Sequence, residues 1–170
     1  MNTSKAHPLL LDDPDLLRDC NVSRTRRSGP GGQHRNKVES AIVIEHKETS
    51  VVAEANERRS QHENKKEALF RLRIQIALAV RGPKIDSDMQ SRWKQRIHAQ
   101  KISINPSHED FPILLAHALD VICLEDFEVK EAANQLEIST SQLIKFLKLE
   151  NKALQWVNAQ RQKLGLPKLK

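Results

Sequence analysis

The sequence predicts an α+β chain: a small antiparallel β-sheet with a packed long helix, followed by an all-helical C-terminal extension. Three observations predict it. Residues 40–46 and 50–55 are rich in β-branched side chains and flank Lys47-Glu48-Thr49, the pattern of an antiparallel hairpin. Ala68, Leu69, Leu72, Ile76, Ala79 and Val80 recur at three- and four-residue steps, which lays one apolar stripe along a helix over residues 60–80. Beyond Ile85 strand signals nearly vanish.

In chain order, residues 1–17 carry little pattern and read as a mobile N-terminal arm with a short helical turn after Asp12. Residues 18–84 form a compact module. Val22 belongs to a first short strand, and Ser28-Gly29-Pro30-Gly31-Gly32 must be a loop, because glycine and proline at this density break helix and strand alike. The hairpin and the long helix follow, and Gly82-Pro83 ends the helix. A sheet with one helix laid on it is an economical two-layer unit. Residues 85–170 form the helical extension. Asp86-Ser87 caps a helix running through Trp93 and Ile97, and Asp110 caps a helix bearing Leu114, Leu115, Ala118, Leu119 and Ile122. Further helices cover 129–136, 140–149 and 153–164, with Gly165 and Pro167 as the stop.

Hydrophobic residues make up 38% of the chain and aromatics 4%, so the core is modest and aliphatic. Cys20 and Cys123 have no metal-ligand spacing and read as reduced thiols, so neither a metal nor a cofactor is expected. No apolar run reaches the length of a membrane span, and Asp12, Asp13 and Asp15 argue against a targeting segment. The expectation is a soluble, cytoplasmic, monomeric protein without membrane attachment.

The net charge of +6 favours a polyanionic partner, and its distribution localises the effect. Residues 18–84 carry +7, residues 85–150 carry −4 and residues 151–170 carry +5. Polyanion binding therefore belongs to the module around the glycine loop and to the last twenty residues.

Gly31-Gly32-Gln33 alone is weak evidence, since a flexible linker or turn would contain the same tripeptide. Its surroundings say more. Arg24, Arg26, Arg27 and Arg35 crowd the loop with Lys37 just beyond, and guanidinium groups suit bidentate phosphate contacts.

At this point the sequence resembles a family. Arg27-Ser28-Gly29-Pro30-Gly31-Gly32-Gln33-His34, followed by Asn36-Lys37-Val38-Glu39-Ser40-Ala41, resembles the catalytic-domain signature of class I peptide chain release factors. Glu57-Arg58-Arg59-Ser60-Gln61-His62-Glu63-Asn64-Lys65 resembles the segment that opens that domain's long helix. The resemblance covers residues 18–81 and implies a small sheet with a packed helix.

It also implies peptidyl-tRNA ester hydrolysis, with the loop entering the peptidyl transferase centre of the large ribosomal subunit. Gly31 and Gly32 would allow close approach to RNA. The Gln33 backbone N–H would stabilise developing charge, and its side chain would shape a space for water. The resemblance further implies contacts to ribosomal RNA and P-site tRNA from Arg24, Arg26, Arg27, His34, Arg35, Asn36, Lys37, Arg58, Arg59, Gln61, Asn64, Lys65 and Lys66, and N5-methylation of Gln33. His34 stands beside the loop either as a general base or as a packing and RNA contact. Arg35 departs from the family, which commonly has a small apolar residue there.

Class I release factors also carry a stop-codon-reading domain, which the residues around this module do not resemble. The reading is therefore a codon-independent factor that frees stalled ribosomes. Lys152, Arg161, Lys163, Lys168 and Lys170 resemble the basic tail of such factors, although Leu154, Trp156, Val157 and Leu164 lie at the spacing of a packed helix. Residues 128–149 fit a helix-turn-helix template, with Glu137 where glycine is often used. That unit reads as a small bundle supporting the module, as a protein-docking surface or as a nucleic-acid reader; a net charge of −2 over residues 126–150 counts against the last. The competing functions are thus a ribosome-rescue hydrolase, a non-hydrolytic ribosome- or RNA-binding factor, and a helix-turn-helix regulator.

Overall fold

A computed structural model of the chain describes residues 7–25, 41–82 and 84–170. It divides into two compact units, Met1–Ala79 and Val80–Lys170.

In the first unit, strands β1 (Cys20–Thr25), β2 (Ala41–His46) and β3 (Val51–Ala55) form an antiparallel sheet in that order. The β2–β3 hairpin turns through residues 47–50, with Ser50 at φ 54° and the Ser50 N–H donating to the His46 carbonyl at 2.8 Å. Buried His46 holds the same turn by its side chain: Nδ1 lies 2.8 Å from Thr49 Oγ1. Helix α2 (Gln61–Ala79) covers one face of the sheet. Ile42, Ile44, Ala53 and Ala55 from the strands and Ala68, Leu72 and Ile76 from α2 are all buried. Ser60 starts the helix, its Oγ accepting from the Glu63 N–H at 3.4 Å, with an acid at the third helical position as helix starts favour.

The expected mobile arm is corrected for residues 7–17. A single helical turn (Pro8–Leu10) and helix α1 (Asp13–Arg18) are built onto the first unit by the burial of Leu9 and Leu16. Arg73 of α2 fixes them: its guanidinium donates to the Leu9 and Leu11 carbonyls at 3.3 and 2.9 Å and meets Asp13 Oδ1 at 2.7 Å. Two leucines seven residues apart give no visible period, and their anchor lies some sixty residues away.

The second unit holds α3 (Ser87–Lys94), a two-stranded ribbon of β4 (Ile97–His98) and β5 (Lys101–Ile102), α4 (Phe111–Leu124), α5 (Val129–Gln135), α6 (Thr140–Leu147) and α7 (Asn151–Lys163). The extension is helical as expected except for the ribbon, whose turn residues Ala99 and Gln100 both take left-handed φ, 46° and 59°. Helix α3 therefore stops before Ile97. Asp86 caps α3 through the Asp88 and Met89 N–H groups, but Asp110 makes no side-chain cap on α4. Its carboxylate is taken by Arg92 and Arg96, at 2.8 and 2.6 Å.

Helix α4 is the axis of this unit: residues 111–122 are all buried. Trp93, Phe111 and Phe146 meet edge-on around it, with ring centroids 5.3 Å (Trp93–Phe146) and 5.7 Å (Phe111–Phe146) apart, and Trp93 Nε1 donates to the Leu136 carbonyl at 2.9 Å. Arg81 and Gly82 bind Asp120 of α4 at 2.8 and 3.2 Å. These bonds tie them to the second unit, so the boundary falls before Val80 rather than after Lys84 as expected.

Helix α7 ends in a Schellman turn. Gly165 sits at φ 73°, the Leu166 N–H donates to Arg161 O at 2.8 Å and the Gly165 N–H to Gln162 O at 3.2 Å. The last residues then fold back along the helix. The Asn158 carboxamide both accepts from the Leu169 N–H at 2.8 Å and donates to its carbonyl at 3.2 Å.

Candidate functional site

Strand register decides which residues gather at one end of the sheet. Thr25 pairs with Ala41, so the two ends of the segment 26–40 leave the sheet side by side. Ile42 pairs with Arg24 on one side and with Ala55 on the other. All three strands therefore end at the same edge. The connection 56–60 leaves Ala55 there and enters α2 at Gln61.

Arg24 is exposed on the edge strand and shares a sheet face with buried Ile42. Arg58 and Arg59 are exposed in the connection, within about 14 Å of chain from Ala55. Lys65 and Lys66 are exposed on the first turns of α2, and Gln61 is half-buried. Five exposed cations thus lie on the strand, connection and helix start at the end of the sheet where residues 26–40 enter and leave. Gly31, Gly32, Gln33, Arg26, Arg27, His34, Arg35, Asn36 and Lys37 lie outside the described residues.

Asn64 differs from its expected role. It is fully buried, so it cannot present itself to RNA. Its Oδ1 accepts from the Arg58 N–H at 2.9 Å and its Nδ2 donates to the Arg58 carbonyl at 2.8 Å. One carboxamide thereby satisfies both backbone groups of an arginine outside regular structure, which is what a buried amide requires. Asn64 positions Arg58.

Arg71, which sequence reasoning missed, fastens the same connection from the next turns of α2. Its guanidinium donates to the Glu54 carbonyl at 2.9 Å, to Glu57 Oε1 at 2.8 Å and to Glu67 Oε1 at 2.9 Å. The hydrogen bond from Arg71 holds the Glu57 carboxyl below its ordinary range. The Glu67–Arg71 spacing of four residues was visible, but the longer reach to Glu54 and Glu57 was not.

The basic C-terminal residues separate into two kinds. Lys152, Lys163, Lys168 and Lys170 are exposed. Arg161 is buried; its Nε donates to the Pro167 carbonyl at 2.9 Å and its Nη1 to the Phe127 carbonyl. It holds the folded-back end and is not a surface contact. Within the candidate helix-turn-helix, the α5–α6 turn places Glu137 at φ 58°, in the conformation where glycine is favoured. Ser139 caps α6 through the Gln142 N–H at 3.3 Å.

The family model described as the RF-1 domain matches residues 16–110. The chain belongs to this family. It is the class I peptide chain release factor family that the two motifs resemble. Peptide chain release factor 1 of Xylella fastidiosa (strain 9a5c) is 35% identical over 102 residues, covering 56% of this chain and 28% of the relative. Peptide chain release factor 1 of Albidiferax ferrireducens (strain ATCC BAA-621 / DSM 15236 / T118) is 42% identical over 99 residues, covering 54% and 27%. The chain thus spans little more than a quarter of these relatives. No solved structure matches it. The RF-1 match takes in the whole basic sheet end with both clamps on the connection, and stops just before α4. Among the described residues no helix is long and apolar enough to cross a membrane.

Proposed function

We propose that this protein hydrolyses the ester of peptidyl-tRNA on the ribosome, without reading a codon, through the Gly31-Gly32-Gln33 loop. The observation that carries the reading is the sheet end. The segment between Thr25 and Ala41 bears the tripeptide, and exposed Arg24, Arg58, Arg59, Lys65 and Lys66 lie on the strand, the connection and the helix start that belong to the same end of the sheet as its two roots. A cationic collar at the base of a glycine-rich loop suits docking against ribosomal RNA, because phosphate contacts fix position and orientation.

In this mechanism no side chain of the protein is consumed. Water attacks the ester carbonyl, the acyl C–O bond to the tRNA ribose oxygen breaks, and a proton from the water passes to that leaving oxygen to give free tRNA and the peptide acid. The Gln33 N–H donates to the oxygen that gains charge, and the Gln33 carboxamide restricts the space to a small nucleophile. N5-methylation of that carboxamide would remove one donor and leave the backbone donor intact. Codon independence is the finer part of the proposal. It is supported by helices α4 to α7, which lie beyond the family match and whose sequence does not resemble a stop-codon-reading domain.

The test is peptide release from purified ribosomes that hold peptidyl-tRNA, with the mRNA channel empty or filled. Release is expected without a stop codon, and it collapses in Gln33→Ala. Equal release by wild type and Gln33→Ala sinks hydrolysis by the loop. A strict requirement for a stop codon sinks the codon-independent role alone.

A further inference from the structure

Charge in the second unit is segregated along the chain, acidic first and basic after. Residues 85–137 carry −5, whereas residues 138–170 carry +6 with Glu150 as their one acid. Ser141 and Lys145 of α6 and its C-terminal capping residue Lys148, still in helical conformation, are exposed at intervals of four and three residues, which puts them in one stripe along the helix. Past the α6–α7 turn, Lys152 in the first turn of α7 is exposed as well.

At its other end the stripe meets the ribbon. The Ser139 N–H, at the start of α6, donates to the Gln100 carbonyl at the ribbon turn at 3.3 Å, and exposed Lys101 follows directly. The two carboxylates that border the stripe are both engaged. Glu137 pairs with Lys94 at 3.1 Å, and Glu150 accepts from the Lys152 N–H at 3.1 Å to cap α7. Exposed Lys101, Ser141, Lys145, Lys148 and Lys152 thus lie on adjoining elements packed on a buried aromatic core, a row in chain order from the ribbon through α6 to α7.

We infer that this row is a second RNA-binding surface, which takes the sugar–phosphate backbone of a structured RNA. Ammonium groups on flexible stems act as point charges toward phosphate and carry no base-reading geometry. The surface therefore selects backbone, with the Ser141 hydroxyl as an added donor. A row built from α6 and the ribbon also accounts for the ribbon itself: it brings Lys101 to the start of a helix otherwise separated from it by α4 and α5. The inference is independent of hydrolysis by the loop, since no residue of the row belongs to the first unit.

The test uses the full chain and a fluorescent RNA hairpin, with binding followed by anisotropy from low to high KCl. The triple variant Lys101→Gln, Lys145→Gln, Lys148→Gln is compared with wild type and with a control triple in the acidic turn, Glu125→Gln, Asp126→Asn, Glu128→Gln. Circular dichroism and thermal melting check that each is folded. Every lysine–phosphate pairing removed lowers the slope of log K against log salt by roughly 0.7–0.9, so the lysine variant should fall by about two units of slope and bind about tenfold more weakly at low salt. Wild-type slope and affinity in the folded lysine variant would overturn the inference. Polyglutamate of matched charge displacing the hairpin as well as unlabelled RNA does would overturn it too, in favour of an acidic protein partner. Gln33→Ala in the same assay separates the two proposals, because it should leave hairpin binding as in wild type.

Discussion

Lowering the pH should destabilise the helical unit through one residue, His117. It lies on α4, 3% exposed, with its ring centroid 5.7 Å from that of Trp93. Burial pushes its pKa from 6.5 down to about 4, against a smaller opposing pull from the Asp86 carboxylate. Between these values the unfolded chain binds a proton that the folded chain excludes, so stability is full above pH 6.5 and falls as the pH drops toward 4. At about 1.36 kcal/mol per pKa unit, the loss approaches roughly 3 kcal/mol at pH 4 and is about 2 kcal/mol at pH 5. A domain of this size has about 5–15 kcal/mol in all, so the loss is a sizeable fraction. Both tryptophans, Trp93 and Trp156, lie in this unit, so urea unfolding followed by tryptophan emission reports on it alone. Wild type and His117→Gln would be compared at pH 7.5 and 5.0. The difference between the two proteins should change by about 2 kcal/mol between the two pH values, in favour of the glutamine variant at low pH. The comparison cancels the other acids, among them Asp120, whose carboxyl burial raises. Parallel pH profiles for the two proteins would refute the reasoning, as would an imidazole resonance of His117 that titrates near pH 6.5.

Asn64→Ala should cost about 1–3 kcal/mol in urea unfolding of the first unit, because it removes both part-buried hydrogen bonds to the Arg58 backbone and empties a buried side-chain site. Asn64→Asp should be no better, since a carboxylate cannot donate to the Arg58 carbonyl. Glu137→Gly should stabilise the second unit by about 1 kcal/mol in thermal melting, relieving a left-handed residue at φ 58°. A melting point lowered by this change would mean that the ion pair to Lys94 matters more than the backbone. Gly165→Ala should destabilise by about 1 kcal/mol from backbone conformation alone, because its Cβ meets no atom within 4 Å. A loss of several kcal/mol would point to a steric clash at Gly165 that the structure does not show.

What was legible in the sequence is what repeats or breaks a pattern. The β2–β3 hairpin and α2 follow from alternation and a three-to-four-residue stripe, and α2 stops beside Gly82 where glycine and proline place it. The ribbon was not legible because Ala99 and Gln100 supply none of the glycine or asparagine chemistry that marks a tight hairpin turn. Arg161 and Asn64 misled for a shared reason. Both are polar side chains inside stretches that suggest RNA contact, and only packing reveals that each has turned inward to hold backbone carbonyls. The two motifs pointed to a candidate site but could not separate residues free to touch a ligand from residues that hold those residues still.

That separation has an energetic consequence for the proposed function. Ordering the backbone of a connection costs about 1–2 kcal/mol per residue, so leaving residues 56–60 loose until RNA arrived would drain several kcal/mol from binding. Asn64 and Arg71 shift this cost to folding, where it is met by the core of the first unit. Only the rotamers of Arg58 and Arg59 then remain to be fixed on docking, which is the economy of a preorganised surface. It follows that a folded Asn64→Ala protein should lose affinity for ribosomes while those it does occupy release peptide at close to the wild-type rate. A KM raised with kcat retained is the signature of a residue that holds the docking arginine. A fall in kcat alone would place Asn64 in the chemistry, a role its burial leaves no route to perform.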